Sequence, residues 1–111
     1  MATVVATMSI DSYNEVSVSW ALGNADTGLG ADVLRWANKW VQAVGTFGGA
    51  TITIQGSMDN TNWVTATTDG TTACTFVATG VKKVWEGFRY IRATSAGGAG
   101  TAATAILVGS A

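Results

Sequence analysis

The sequence contains no histidine. That removes the side chain most often used as a general base at neutral pH and most often used to bind transition metals. Ser–His–Asp and Cys–His nucleophile pairs go with it, as do zinc sites of the usual Cys/His kind. The carboxylates are Asp11, Glu15, Asp26, Asp32, Asp59, Asp69 and Glu86. Most fall in segments that read as turns, where an Asp side chain accepts hydrogen bonds from nearby backbone N–H groups. Nothing in their spacing points to the paired carboxylates of a glycosidase. Asp59-Asn60-Thr61-Asn62 gathers oxygen atoms of the kind Ca²⁺ takes. The same residues also build an Asx-stabilised hairpin turn, which is the reading preferred here. Gly48-Gly49 and Gly97-Gly98 precede strand-like segments rather than helices, so neither is read as a phosphate loop. The single cysteine, Cys74, lies in the strand-like run Ala73-Cys74-Thr75-Phe76-Val77. With no imidazole to activate it, it is expected to be a small buried apolar side chain. The chain is therefore expected to be non-enzymatic, with no cofactor and no metal.

Chemistry of contact is a different matter. Of the five tryptophans, Trp20 sits on a clean apolar face and is expected in the core. Trp36 and Trp40, with Arg35 and Lys39 between and beside them, either form an exposed aromatic-basic contact surface or pack against the body of the protein. Trp and Arg are the residues that most often dominate binding interfaces. Aromatic stripes also stack on sugars, which keeps carbohydrate binding in view.

Charged residues make up only 12% of the chain and hydrophobic residues 48%, with a net charge of −1. An average globular protein carries about 25% charged residues. Ser, Thr, Asn, Gln and Gly must supply most of the surface polarity. Near-neutral molecules repel one another weakly, so a surface this poor in charge suits a protein packed against partners. The longest basic stretch is Lys82-Lys83. Neutralising several phosphates needs clustered Lys and Arg, so no nucleic-acid partner is expected. No window approaches the roughly 20 apolar residues of a membrane span, and the N-terminus lacks the basic region of a signal peptide, so no membrane partner is expected.

The elements that must carry these residues read as β throughout. Val4, Ala6, Met8 and Ile10 alternate with polar or small residues over 3–10, and Val16, Val18, Trp20 and Leu22 do so over 15–22. Strand side chains point to opposite faces in turn, so each segment has one oily face. Residues 31–40 fit a strand poorly. The i,i+4 spacing of Trp36 and Trp40 suggests an irregular or helical lead-in to a strand at 40–44. Gly48-Gly49 suits the positive φ of a tight hairpin whose partner strand is 50–55. Further strands are expected at 63–67, 73–78, 88–92 and 101–108, with 82–86 either strand or loop. Residues 105–108 are apolar on both faces, as in a central buried strand or an oligomer contact. The pattern predicts an all-β fold of about eight strands, at the spacing typical of sandwiches and barrels, in one domain over 1–111.

Two stretches carry a resemblance. Residues 43–57, running on through Asp59-Asn60-Thr61-Asn62-Trp63, form one. Gly87-Phe88-Arg89-Tyr90-Ile91-Arg92, with the Gly-rich tip and apolar strand after it, form the other. Together they resemble the decoration, or staple, proteins of epsilon15-like short-tailed bacteriophages. The resemblance implies about eight antiparallel strands in a jelly-roll-like β-sandwich, on the outer capsid surface of a virion assembled in the host cytoplasm. It implies the major capsid protein and a second copy of the chain, as a homodimer, for partners. The same stretches are also similar to discoidin-type sugar- or lipid-binding jelly rolls, so a carbohydrate-binding module or a tail-associated virion protein is the alternative. Terminal strands are often sheet edges, and edges must be covered. The candidate capsid or subunit contacts are therefore Val4, Val5, Arg35, Trp36, Trp40, Ile106 and Val108.

Overall fold

The computed structural model describes residues 3–12, 15–34, 36 and 38–110, apart from the side chains of residues 11 and 12. The described residues contain twelve strands and no helix. They are β1 (Thr3–Val4), β2 (Thr7–Ser12), β3 (Glu15–Leu22), β4 (Thr27–Gly28), β5 (Ala31–Asp32), β6 (Asn38–Thr46), β7 (Thr51–Ser57), β8 (Val64–Thr65), β9 (Thr75–Phe76), β10 (Gly80–Val84), β11 (Tyr90–Ala96) and β12 (Ala102–Ser110).

Two sheets face each other. One has the order β10-β6-β12-β3-β2 and the other β1-β4-β11-β7-β8, with β5 also on β11 and β9 also on β7. Taking β4 with β5 and β8 with β9 as single lanes leaves eight lanes, from β3 to β12. From β3 the chain passes from one sheet to the other at each step except between β7 and the β8–β9 lane, which are neighbours in one sheet, and β12 closes between β3 and β6. This is the strand order of a jelly roll. All the ladders are antiparallel except β1 on β4.

The core is the set of inward residues that alternation singles out. Val16, Val18, Trp20 and Leu22 from β3 meet Ile52 and Ile54 from β7 and Ile91 and Ala93 from β11. Trp20 is wholly buried, and its indole N–H donates to the carbonyl of Leu29 at 2.8 Å, which satisfies the one polar atom it takes inside. Lys39 is buried too, its ammonium donating to the carbonyl of Trp36 at 2.9 Å, and desolvation lowers its pKa.

Three expectations need correcting. The alternating run over 3–10 is two strands in different sheets, because the chain crosses over at Val5-Ala6. Gly48 and Gly49 do have positive φ, 59° and 84°, but β6 and β7 do not pair. Their turn carries the chain from one sheet to the other. The stretch before Trp40 is a short strand and a turn, with the Trp36 N–H donating to the Val33 carbonyl at 3.0 Å, and β6 begins two residues earlier than expected, at Asn38.

Candidate functional site

Asp59 and Asp69 serve the turns they stand in. Asp59 accepts from the backbone N–H groups of Thr61 and Asn62 at 3.0 and 2.8 Å, and from the side chains of Asn62 and Ser57. Those bonds hold its carboxyl well below the usual range. Asp69 repeats the arrangement with Thr71 and Thr72, and its pKa falls from 3.8 to about 2. At Asp59-Asn60-Thr61-Asn62 these are the hydrogen bonds of an Asx-stabilised turn. Among the described residues no cluster of three acidic, Cys or His side chains is placed to hold a metal. Glu86, two residues past the end of β10, ties that segment to the one after β8 by accepting from the Thr67 N–H and hydroxyl at 2.9 and 2.7 Å. Cys74 is buried, and desolvation pushes its thiol up to about 11, far from reactivity.

The contact candidates divide. Directly paired residues on neighbouring antiparallel strands share a face. Ser17, Val108, Trp40 and Lys83 pair in sequence across β3, β12, β6 and β10, and Ser19, Ile106, Gln42 and Val81 form the next row. Trp40, Ile106 and Val108 therefore lie together on the outer face of one sheet. Trp40 and Val108 are each 51% exposed and Val81 56%. Among the described side chains, this face carries only Lys83 and, at its far end, Glu15 as charges. Trp85 lies beside it, with the Lys83 ammonium 5.8 Å from its ring. Alternation in β10 was the signal that would have added Val81.

The other candidates do not join that face. Trp36 is only 4% exposed, so the packed alternative holds for it. Val4 packs against the core and Val5 is exposed at the crossover between sheets. Arg35 lies outside the described residues. β12 is a central strand, so the idea of a C-terminal edge is overturned; only its outward side chains are free. The N-terminal β2 is an edge. Met8 and Ile10 pair with the inward Val18 and Val16 but overhang the opposite sheet, and they line an open groove of about 370 Å³ with Asp32, Leu34 and Trp36.

Sequence reasoning missed a second groove, of about 420 Å³, on the outer face of the other sheet. Its charged residue is Arg92 of β11. The Arg92 guanidinium sits 4.3 Å from the Trp63 ring centroid, and its Nε donates to Gln55 Oε1 at 2.7 Å. Partial burial lowers its pKa. Gly30 forms part of the wall, and a Cβ there would stand 2.7 Å from Trp63 and closer still to Asn60 Oδ1. Asn60 itself holds a left-handed backbone, φ 60°, that its turn requires. Trp63 and Arg92 are 29 residues apart in sequence, and only the register of β7 on β11, with the loop that follows β7, brings them together.

No protein-family profile matches the sequence, and no curated protein matches it. Solved structures do match the fold. The SPBc2 prophage-derived protein YomS superposes with a TM-score of 0.61 at 14% identity, over 90% of this chain and 98% of that one. The PBSX exported protein XepA gives 0.54 at 20% identity over 84% of this chain, which spans 35% of XepA. A conserved Klebsiella pneumoniae protein with a double-stranded β-helix domain gives 0.52 at 9% identity, over 97% of this chain and 77% of that one. At such identities the likeness is one of fold, and it agrees with the jelly-roll strand order.

Proposed function

We propose that this chain is a non-enzymatic structural protein of a phage particle, a decoration protein that binds major capsid proteins through the outer face of the β10-β6-β12-β3 sheet and staples neighbouring subunits. The observation that carries this reading is the face itself. Three strands present Trp40, Ile106, Val108 and Val81 to solvent beside Gln42 and the Ser17 and Ser19 of β3, with almost no charge among the described side chains. Large exposed apolar patches mark contact sites, and interface centres are depleted of charge and enriched in Trp. Two of the structures that share the fold are described as products of the prophages SPBc2 and PBSX, which is in keeping with a phage source. A shell-stapling protein needs no chemistry, and weak contacts to several subunits multiply when one body makes them together. The proposed location is the outside of the virion.

The test is co-sedimentation with shells of the parent phage stripped of this protein. Trp40→Ala removes the largest side chain at the middle of the face. A hot-spot tryptophan is worth about 2 kcal/mol or more, so binding should weaken roughly 30-fold. Binding as tight as the unaltered protein's would overturn the reading. The second part of the proposal is a homodimer made by β2 edges pairing across a twofold axis. That arrangement would cover Met8 and Ile10 and complete the hydrogen bonds of the open edge.

A further inference from the structure

The groove on the opposite sheet has no part in that reading, and it faces away from the proposed shell contact. Its floor is a single cation. Arg92 is held on two sides, by Gln55 at its Nε and by the Trp63 ring against its plane. Among the described residues no hydrogen bond takes up the two terminal nitrogens of the fork. Among the described residues the ion pair is Arg89 with Asp32, at 3.3 Å, and no carboxylate pairs with Arg92. Every other lining residue is neutral: Thr3, Thr27, Gly28, Leu29, Gly30 and Asn60 besides Trp63.

From this geometry we infer that the groove binds an acidic saccharide, a sugar whose carboxylate meets the Arg92 fork and whose hydroxyls meet Asn60 and Thr3. A guanidinium fixed in one orientation matches a carboxylate bidentately, which is the strong form of a charge-assisted hydrogen bond. One unpaired positive charge matches one negative charge, so a carboxylate suits it better than a dianionic phosphate. A volume of about 420 Å³ far exceeds what a bare anion fills, and it lies in the usual range for small-molecule sites. The amide and hydroxyl of the wall offer both donors and acceptors, as a polyol requires. Trp63 is a positioning residue: Arg92 covers its ring, so it orients the cation rather than stacking on the sugar. Gly30 keeps the groove open, since any side chain there would strike Asn60 and Trp63.

The experiment is an NMR titration of the intact protein, following the indole N–H of Trp63 and the Nε–H of Arg92. The probes are sodium glucuronate, glucose and sodium acetate. Glucuronate should move both signals and saturate at millimolar concentration, with glucose at least ~10-fold weaker for want of the charge-assisted pair to Arg92, and acetate about 10-fold weaker for want of the hydroxyl hydrogen bonds to Asn60 and Thr3. Arg92→Gln should weaken glucuronate by a similar ~10-fold or more, and Arg92→Lys, which keeps the charge without the fork, by less. An unchanged Trp20 indole signal shows that each variant has folded. Equal binding of acetate and glucuronate would reduce the site to a bare anion site and overturn the proposal. So would equal binding of glucose, no binding of glucuronate, or glucuronate binding indifferent to Arg92→Gln. Shell co-sedimentation of Arg92→Gln should match that of the unaltered protein, which separates failure here from failure of the decoration reading.

Discussion

At the scale of single residues the protein puts its acids to structural use. Asp69 accepts two backbone N–H bonds and two hydroxyl bonds, which favour its charged form and bring its pKa to about 2 in the folded state. The unfolded chain holds it near 3.8. A group with a depressed folded pKa stabilises the fold above its unfolded pKa and loses that contribution as pH falls through the folded one. The stabilisation from Asp69 is therefore full above about pH 4 and declines from there toward about pH 2. Asp69→Asn should lower the melting temperature at neutral pH and reduce the drop between those two pH values. Thermal unfolding followed by circular dichroism across that range checks both. Identical acid limbs for the two proteins would remove Asp69 from the account. The carboxylate turns were legible as turns in the sequence, because Asx residues clustered between alternating segments. Their hydrogen-bond partners followed from local chain geometry alone.

Elements show where local reading ends. β3 was legible in full, since Val16, Val18, Trp20 and Leu22 alternate without a break and all four are buried. The run over 3–10 alternates just as well, yet it is cut between two sheets. Alternation reports a face and says nothing of which sheet the face belongs to. Gly48-Gly49 makes the same point. A pair of positive-φ glycines suits a hairpin and a corner between sheets equally, and only the partners of β6 and β7 distinguish them. The two edges of the β10-to-β2 sheet differ in kind. β10 carries Lys82 and Lys83, charges that discourage further pairing, whereas β2 overhangs with Met8 and Ile10. If two copies meet along β2, Ile10→Lys should shift the protein from dimer to monomer in sedimentation velocity. The same substitution on a protein already monomeric would leave its sedimentation coefficient unmoved, and the β2 pairing would then be wrong. Ile10 is exposed, so its replacement should cost the fold itself little.

For the molecule as a whole, the decisive property is the contrast between its two outer faces. One is wide, apolar and nearly uncharged; the other holds a groove with a single cation. A net charge of −1 and a contact face without charge clusters leave little for salt to screen. Shell binding should therefore change less than about 2-fold between low and high sodium chloride, and sodium sulfate should strengthen it. Sedimentation assays at several salt concentrations test this, and a steep loss of binding with added chloride would point to a different face.

The residues alone determined the class of protein. Period-two alternation, Gly and Asx turns and the scarcity of charge follow from the chemistry of each side chain and its immediate neighbours, and they led to an all-β domain rich in uncharged surface. Which positions share a surface was decided by tertiary structure. Trp36 and Trp40, four residues apart, end up one inside and one outside, while Trp40, Val108 and Val81, far apart in the chain, end up side by side. Strand register couples distant segments through backbone hydrogen bonds that every residue can make, so no single stretch encodes it. The Arg92–Trp63 groove has the same origin: its parts come from a strand, a loop and the glycine wall, and they meet only after the two sheets have closed.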